Sequence, residues 1–183
     1  MALAKIQYLR DSKTVYGEKG ACPATSRSCG MDLRAAFPEK SIEIPAGGRH
    51  PVPTGIALEI CQENTAAFLY SRSGLGAKTG LAVAQGVGVI DPDYRGEIIA
   101  YMLNTSQNSV TVEQGDRIAQ LVFQPYFPIS LEEAEELSPT ERGCGGYGHY
   151  RKDKYATVSL DAPASIASRS VDVESGATIG ELL

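Results

Sequence analysis

The chain has no tryptophan and only two histidines, His50 and His149. That excludes a histidine-rich metal centre. Its four cysteines, Cys22, Cys29, Cys61 and Cys144, make no C-x-x-C pair, which removes zinc-knuckle and thioredoxin-like motifs. Basic excess is also missing. Lys plus Arg number 17 against 22 Asp plus Glu, a net charge of −5, which argues against general nucleic-acid binding. A phosphorylated ligand held by locally placed arginines or a metal stays open. No run approaches the roughly 18 apolar residues that a membrane helix needs. The opening MALAKIQYLRDSK carries charge within its first ten positions and does not read as a secretory signal. The expectation is a soluble intracellular protein, cytoplasmic or nuclear and not secreted. It has reduced thiols, and neither a membrane nor nucleic acid is a direct partner.

What is present points to β-structure. At 183 residues and 43% hydrophobic content the chain suits one domain with a real core. Ser41–Ile44, Ile56–Ile60 and Val110–Glu113 alternate as half-buried strands do. Thr65–Tyr70, Glu97–Leu103 and Ile118–Phe123 are apolar runs that suit buried strands. Turn residues separate them, and no βα alternation appears. The pattern predicts an all-β sandwich, jelly roll or small barrel. The acidic Ser130–Leu137 suits either a surface helical turn or an edge strand.

Four segments could carry chemistry. In Ser71-Arg72-Ser73-Gly74-Leu75-Gly76, a strand gives way to a short helix closed by Gly80, with Ser73 as its N-cap. Free N–H groups, a hydroxyl and Arg72 suit a phosphate there, as they also suit a plain glycine-rich turn. Gly88 to Glu97 reads as a β-hairpin. It would hold Asp91 partly desolvated at the end of an apolar strand, where a general base can sit, and Tyr94 at the tip. Asp91 and Asp93 equally suit ordinary turn-forming. Gln120, alone in an apolar strand, requires a partner, either a ligand or the backbone. Arg142–Gly148 has four glycines in seven residues. It reads as a mobile flap whose Tyr147 could stack on a base, or as a linker.

In their order and spacing these segments resemble the trimeric dUTPases, the deoxyuridine triphosphate nucleotidohydrolases. Cys29-Gly30-Met31-Asp32-Leu33, Arg72-Ser73-Gly74-Leu75, Gly88-Val89-Ile90-Asp91 through Tyr94-Arg95-Gly96, Gly115-Asp116-Arg117-Ile118-Ala119-Gln120 and Arg142 to Gly148 appear in the family's sequence. The resemblance implies a jelly-roll-like β-barrel with one short helix over residues 1–140, a glycine-rich flap over 141–150, and an extension over 151–183. It implies hydrolysis of dUTP to dUMP and pyrophosphate with Mg²⁺ on the triphosphate, in a homotrimer with shared sites. Asp91 would activate the water that attacks the α-phosphorus. Tyr94 would lie under the deoxyribose and exclude a 2′-hydroxyl. Backbone near Gln85, Gly88, Val89, Ile90 and Ile99 would read uracil. Arg72, Ser73, Gly74 and Gln120 would bind phosphates, and Asp32 would support the metal through water. Arg142 would reach the γ-phosphate, and Tyr147 with Gly148 would close over the base.

Some positions depart from the family. Ser71 stands in place of proline, which predicts a slightly looser phosphate turn. Cys144 replaces serine and Tyr147 replaces phenylalanine. His149 and Tyr150 replace the Ser-Thr that touches the terminal phosphate. Residues 151–183 form a 33-residue extension read as disordered, with a packing segment or a docking arm for a protein partner as the alternatives. Two rival functions are a dCTP deaminase, which shares the fold but lacks this flap, and a non-catalytic binding protein, against which an intact Asp91 argues.

Overall fold

In the computed structural model, residues 3–145 are described. The chain divides into two units, 1–131 and 132–183. In the first, eleven strands and two short helices follow one another: β1 (Ala4–Tyr8), α1 (Lys13–Tyr16), β2 (Gly30–Arg34), β3 (Ser41–Ile44), β4 (Arg49–Pro53), β5 (Ile56–Ile60), β6 (Thr65–Ser71), α2 (Ser73–Thr79), β7 (Leu81–Val83), β8 (Val87–Ile90), β9 (Ile99–Asn104), β10 (Val110–Glu113) and β11 (Arg117–Pro125). The all-β, jelly-roll-like class is observed. The number of helices is two rather than one, because Lys13–Tyr16 closes a further single turn.

Every strand pair is antiparallel. Among the described residues the strands make four ladders, β2-β11-β6-β8, β4-β9-β7, β1-β5 and β3-β10, rather than one closed barrel. Prolines help to keep them separate. Pro51 and Pro53 lie in β4, an end strand where a missing N–H costs no ladder bond. The longest strand, β11, is the axis of its sheet and pairs with both β2 and β6. A bulge between Arg117 and Ala119 lets consecutive residues, Ile118 and Ala119, both turn inward.

The core follows from alternation. In β9, Ala100, Met102 and Asn104 are buried while Ile99 and Tyr101 face out. Leu33, Ile44, Val52, Ile56, Leu69, Leu81, Ile98, Ile118 and Leu121 are the other large apolar side chains that are fully buried. Each such side chain stabilises the fold by about 1.5–3 kcal/mol. Buried polar groups are satisfied. Asn104 donates to the carbonyls of Ile44 (2.9 Å) and Asn108 (2.7 Å) and accepts from Ser106.

The predicted hairpin over 88–97 is not one. β8 pairs with β6, whereas β9, which starts at Ile99 rather than Glu97, pairs with β4 and β7. Pro92 cannot donate to a ladder, and a turn closed by the Tyr94 N–H on the Asp91 carbonyl (3.1 Å) carries the chain between sheets.

Ser130–Leu137 forms neither helix nor strand. In the second unit Gly143, at φ 52°, donates its N–H to the Thr140 carbonyl (3.1 Å), and Arg142 Nε donates to the Gly145 carbonyl (2.8 Å). Tyr147, Gly148, His149 and the extension 151–183 lie outside the described residues.

Candidate functional site

The predicted phosphate-binding group assembles where β6 ends. β6 stays extended through Ser71, and Arg72 (φ −92°, ψ 128°) is still extended when α2 begins. Arg72, not Ser73, therefore occupies the N-cap, and no side chain caps the helix. Ser73 and Gly74 are exposed in its first turn. Gly80, in the left-handed region at φ 74°, ends the helix with its N–H on the Gly76 carbonyl.

Asp32 on β2 and Gln120 on β11 are direct cross-strand partners. Gln120 finds its partner in the backbone, donating to the Ser71 carbonyl at 3.0 Å. Gly30 makes room for that amide, since a Cβ there would stand 2.6 Å from Gln120 Oε1. The Asp32 carboxylate is forked between two guanidiniums, taking Arg72 Nε at 2.7 Å and Arg117 Nη1 at 3.2 Å. These three groups sum to one positive charge, as anion binding requires. The expected loosening at Ser71 is reversed. Its hydroxyl accepts the Val83 N–H at 2.8 Å and ties the turn to β7, which proline could not do.

The predicted base-reading group surrounds a cavity of about 340 Å³, lined by Gln85, Val89, Ile90, Asp91, Tyr94, Glu97, Ile98, Ile99 and Tyr101. β8 is the end strand of its sheet, so its outer edge belongs to no ladder among the described residues. Gly88 is buried there, and a side chain would not fit, since a Cβ would crowd Leu69 Cβ at 3.1 Å and Gln85 Nε2 at 3.2 Å. The Tyr94 ring lies over Gly96, where a Cβ would sit 2.3 Å from its hydroxyl. That hydroxyl donates to the Glu97 carbonyl at 3.0 Å.

Asp91 is exposed rather than partly desolvated. It lies one residue beyond β8 and rims two cavities, this one and a second of about 520 Å³ lined by Ala66, Phe68, Val89, Pro92, Asp93 and Tyr126.

The two groups do not meet within one chain. Ile90 stands opposite Ala67, and Ala67 is five residues from Arg72 along β6. At about 3.3 Å per residue that is roughly 16 Å.

Sequence reasoning missed Arg117, Glu97, Tyr101 and Arg10. Tyr101 was findable, since period-2 alternation puts it on the same face as Ile99. Arg117 stood inside a recognised segment without a role. Glu97 takes a fork from Arg10, whose Nη1 is 2.8 Å from it, and the Gly55 N–H at 2.8 Å. Neither contact leaves a local signal, because the partners lie 87 and 42 residues away. Burial pushes the Glu97 carboxyl up, but its hydrogen bonds from Arg10 and Gly55 outweigh this and hold it below the ordinary range.

The dUTPase family model matches residues 19–150. The deoxyuridine 5′-triphosphate nucleotidohydrolase of Desulfitobacterium hafniense is 43% identical over 144 residues, covering 79% of this chain and 93% of that one. The crystal structure of a dUTPase from Streptococcus mutans is similar at 32% identity and a TM-score of 0.58, covering 68% of this chain and 98% of that one. A dUTPase from Staphylococcus bacteriophage 80alpha shares the fold at 23% identity, with a TM-score of 0.69 over 81% of this chain and 98% of its own. The fold is an all-β one with an exposed strand edge beside an aromatic and an arginine pair at a strand end. The chain belongs to the dUTPase family.

Proposed function

We propose that the protein hydrolyses dUTP to dUMP and pyrophosphate in sites shared between subunits of a homotrimer. The observation that carries this is the cavity between the outer edge of β8 and Ile99 of β9, with Asp91 and Tyr94 at its rim. A strand edge offers alternating N–H and C=O groups. Uracil offers a donor between two acceptors and pairs with such an edge as another strand would. Gly88, Val89 and Ile90 supply that edge. The Tyr94 ring supports the deoxyribose. Asp91 takes the proton of the water that attacks the α-phosphorus, and the P–O bond to the leaving pyrophosphate breaks.

Arg72, Ser73, Gly74 and Gln120 hold the phosphates, joined by Arg142 from the flap, whose Tyr147 with Gly148 closes over the base. Among the described residues no three His, Cys, Asp or Glu side chains cluster as a cation cage. This donor set fits a magnesium ion that arrives on the triphosphate and keeps most of its water, with Asp32 as the acid facing that water. The ion's chemistry is charge neutralisation and orientation of the phosphates.

The roughly 16 Å between Arg72 and the β8 end supports shared sites, since Arg72 and Asp91 of one chain cannot serve one α-phosphate. Exposed apolar side chains in the segment after β11, Phe127 (90%), Ile129 (79%) and Leu131 (90%), support burial against another copy. The protein is proposed to be intracellular.

Mixed trimers test the reading. Asp91→Asn and Arg72→Ala are each expected to abolish turnover. Co-expressed, they should regain about one quarter of wild-type activity, because random assembly leaves that share of sites with both groups intact. No recovery would place both groups in one chain's site and refute the proposal.

A further inference from the structure

We infer that Glu97 is a positioning residue for Tyr94, clasped by Arg10, and that this clasp sets discrimination between deoxyribo- and ribonucleotides. The inference rests on the nucleotide reading above.

Glu97 ties three segments together. Its side chain is only 15% exposed. The carboxylate takes the Arg10 fork and the Gly55 N–H, while the carbonyl of the same residue takes the Tyr94 hydroxyl. Fixing the carboxylate fixes residue 97, and residue 97 fixes the ring. Gly96 between them carries no side chain that could lift the ring away.

The segment that delivers Arg10 is strained. Arg10 (φ 51°) and Asp11 (φ 56°) both occupy the left-handed region, which neither Gly nor Asn relieves in Arg10's case. Gly55 anchors this knuckle. Its carbonyl accepts the Leu9 N–H at 2.7 Å and the Ser12 hydroxyl at 2.5 Å. Gly55 is itself at φ 70°, and a Cβ there would lie 2.2 Å from Ser12 Cβ. The knuckle thus aims one guanidinium at one carboxylate.

The Arg10 side chain is 52% exposed, and ion pairs with a half-exposed partner contribute little. Strain of this kind persists where surrounding structure over-determines it and where geometry has a use. Here the clasp reaches the cavity lining at the Glu97–Tyr94 pair. A ring held flat leaves no room for a 2′-hydroxyl, and a ring free to swing does.

The test compares wild type with Arg10→Met, Arg10→Lys, Glu97→Gln and the Arg10→Met/Glu97→Gln double variant. For each, kcat and KM are measured on dUTP and on UTP, with thermal midpoints alongside. Arg10→Met and Glu97→Gln should each lower the dUTP/UTP ratio of kcat/KM at least about tenfold, mainly by raising UTP turnover. Arg10→Lys should fall between wild type and Arg10→Met. The double variant should be no worse than Glu97→Gln, since both remove one clasp. Arg10→Met, at a half-exposed position, should shift the thermal midpoint by no more than a few degrees. A wild type active on dUTP whose discrimination survives Arg10→Met overturns this inference alone. A wild type that releases no pyrophosphate from dUTP overturns the parent reading and this inference with it.

Discussion

Replacing Gly96 with alanine sets a methyl carbon against the ring of Tyr94. In the present backbone that carbon would lie 2.3 Å from the hydroxyl oxygen, 2.5 Å from Cζ and 2.9 Å from Cε2. All three separations are shorter than real contacts allow, and the ring has to leave. It has somewhere to go, because Tyr94 is 46% exposed. The cost to folding is therefore small. The lost Tyr94–Glu97 hydrogen bond is worth about 0.5–1.5 kcal/mol net. Gly96 does not have a positive φ, so alanine adds no backbone strain. The cost to function is larger. An aromatic platform under a nucleotide contributes about 1–3 kcal/mol, so kcat/KM for dUTP should fall roughly 5- to 150-fold. Pyrophosphate release on dUTP and UTP measures this, beside a thermal melt. A Gly96→Ala enzyme with kcat/KM within twofold of wild type would refute the placement of the ring. So would a further large loss on adding Tyr94→Ala, since the ring's contribution would then still be present.

Other outcomes follow from the same geometry. Gly30→Ala should push the Gln120 amide off the Ser71 carbonyl, costing about 1 kcal/mol of stability by denaturant titration but raising KM for dUTP severalfold. Tyr16→Phe removes a buried hydroxyl that donates to the Thr54 carbonyl (2.8 Å) and accepts the Arg34 N–H (3.1 Å), and should destabilise by about 2–4 kcal/mol. Burial pushes the Tyr16 phenol from 10.0 up to about 12. A raised folded pKa means the stabilisation is complete below about pH 10 and lost as pH rises towards 12, a loss that Tyr16→Phe should not show in melts across that window. Chelating magnesium should suppress pyrophosphate release while leaving the thermal midpoint of the nucleotide-free protein unchanged, because the described residues hold no cation cage.

Much of the fold was legible because its signals are local. Alternation located β3, β5 and β10, and apolar runs located β6 and β11 nearly to the residue. The pairing of strands was not legible. The turn at Asp91–Tyr94 looks like a hairpin connection, yet whether its flanking strands pair depends on β4, β6 and β7, remote in sequence. The helix start was misplaced by one residue because the serine rule for N-caps yields to tertiary pairing. Ser71 is still in register with Ala119, which keeps Arg72 extended and makes it the cap.

The site divides along the same line. The candidate residues inside the ordered segments were named by resemblance, and in the structure they fall into two groups, one around Asp32 and Arg72 and one lining the cavity beside β8. Their physical supports were invisible. The Arg117 share of Asp32, the Gly30 gap that admits Gln120 and the Arg10–Glu97 clasp all depend on long-range approach. Ser71 shows the limit from the other side. Compared with the family's proline it predicted a looser turn, and only the Val83 N–H on its hydroxyl reveals a tether.

The most direct measurement is pyrophosphate release with magnesium, on dUTP against dCTP, dTTP and UTP. Rapid release from dUTP alone is expected if, as proposed, the β8 edge pairs with uracil and the Tyr94 ring leaves no room for a 2′-hydroxyl. Release from none of the four, or equal release from dUTP and dCTP, would contradict it.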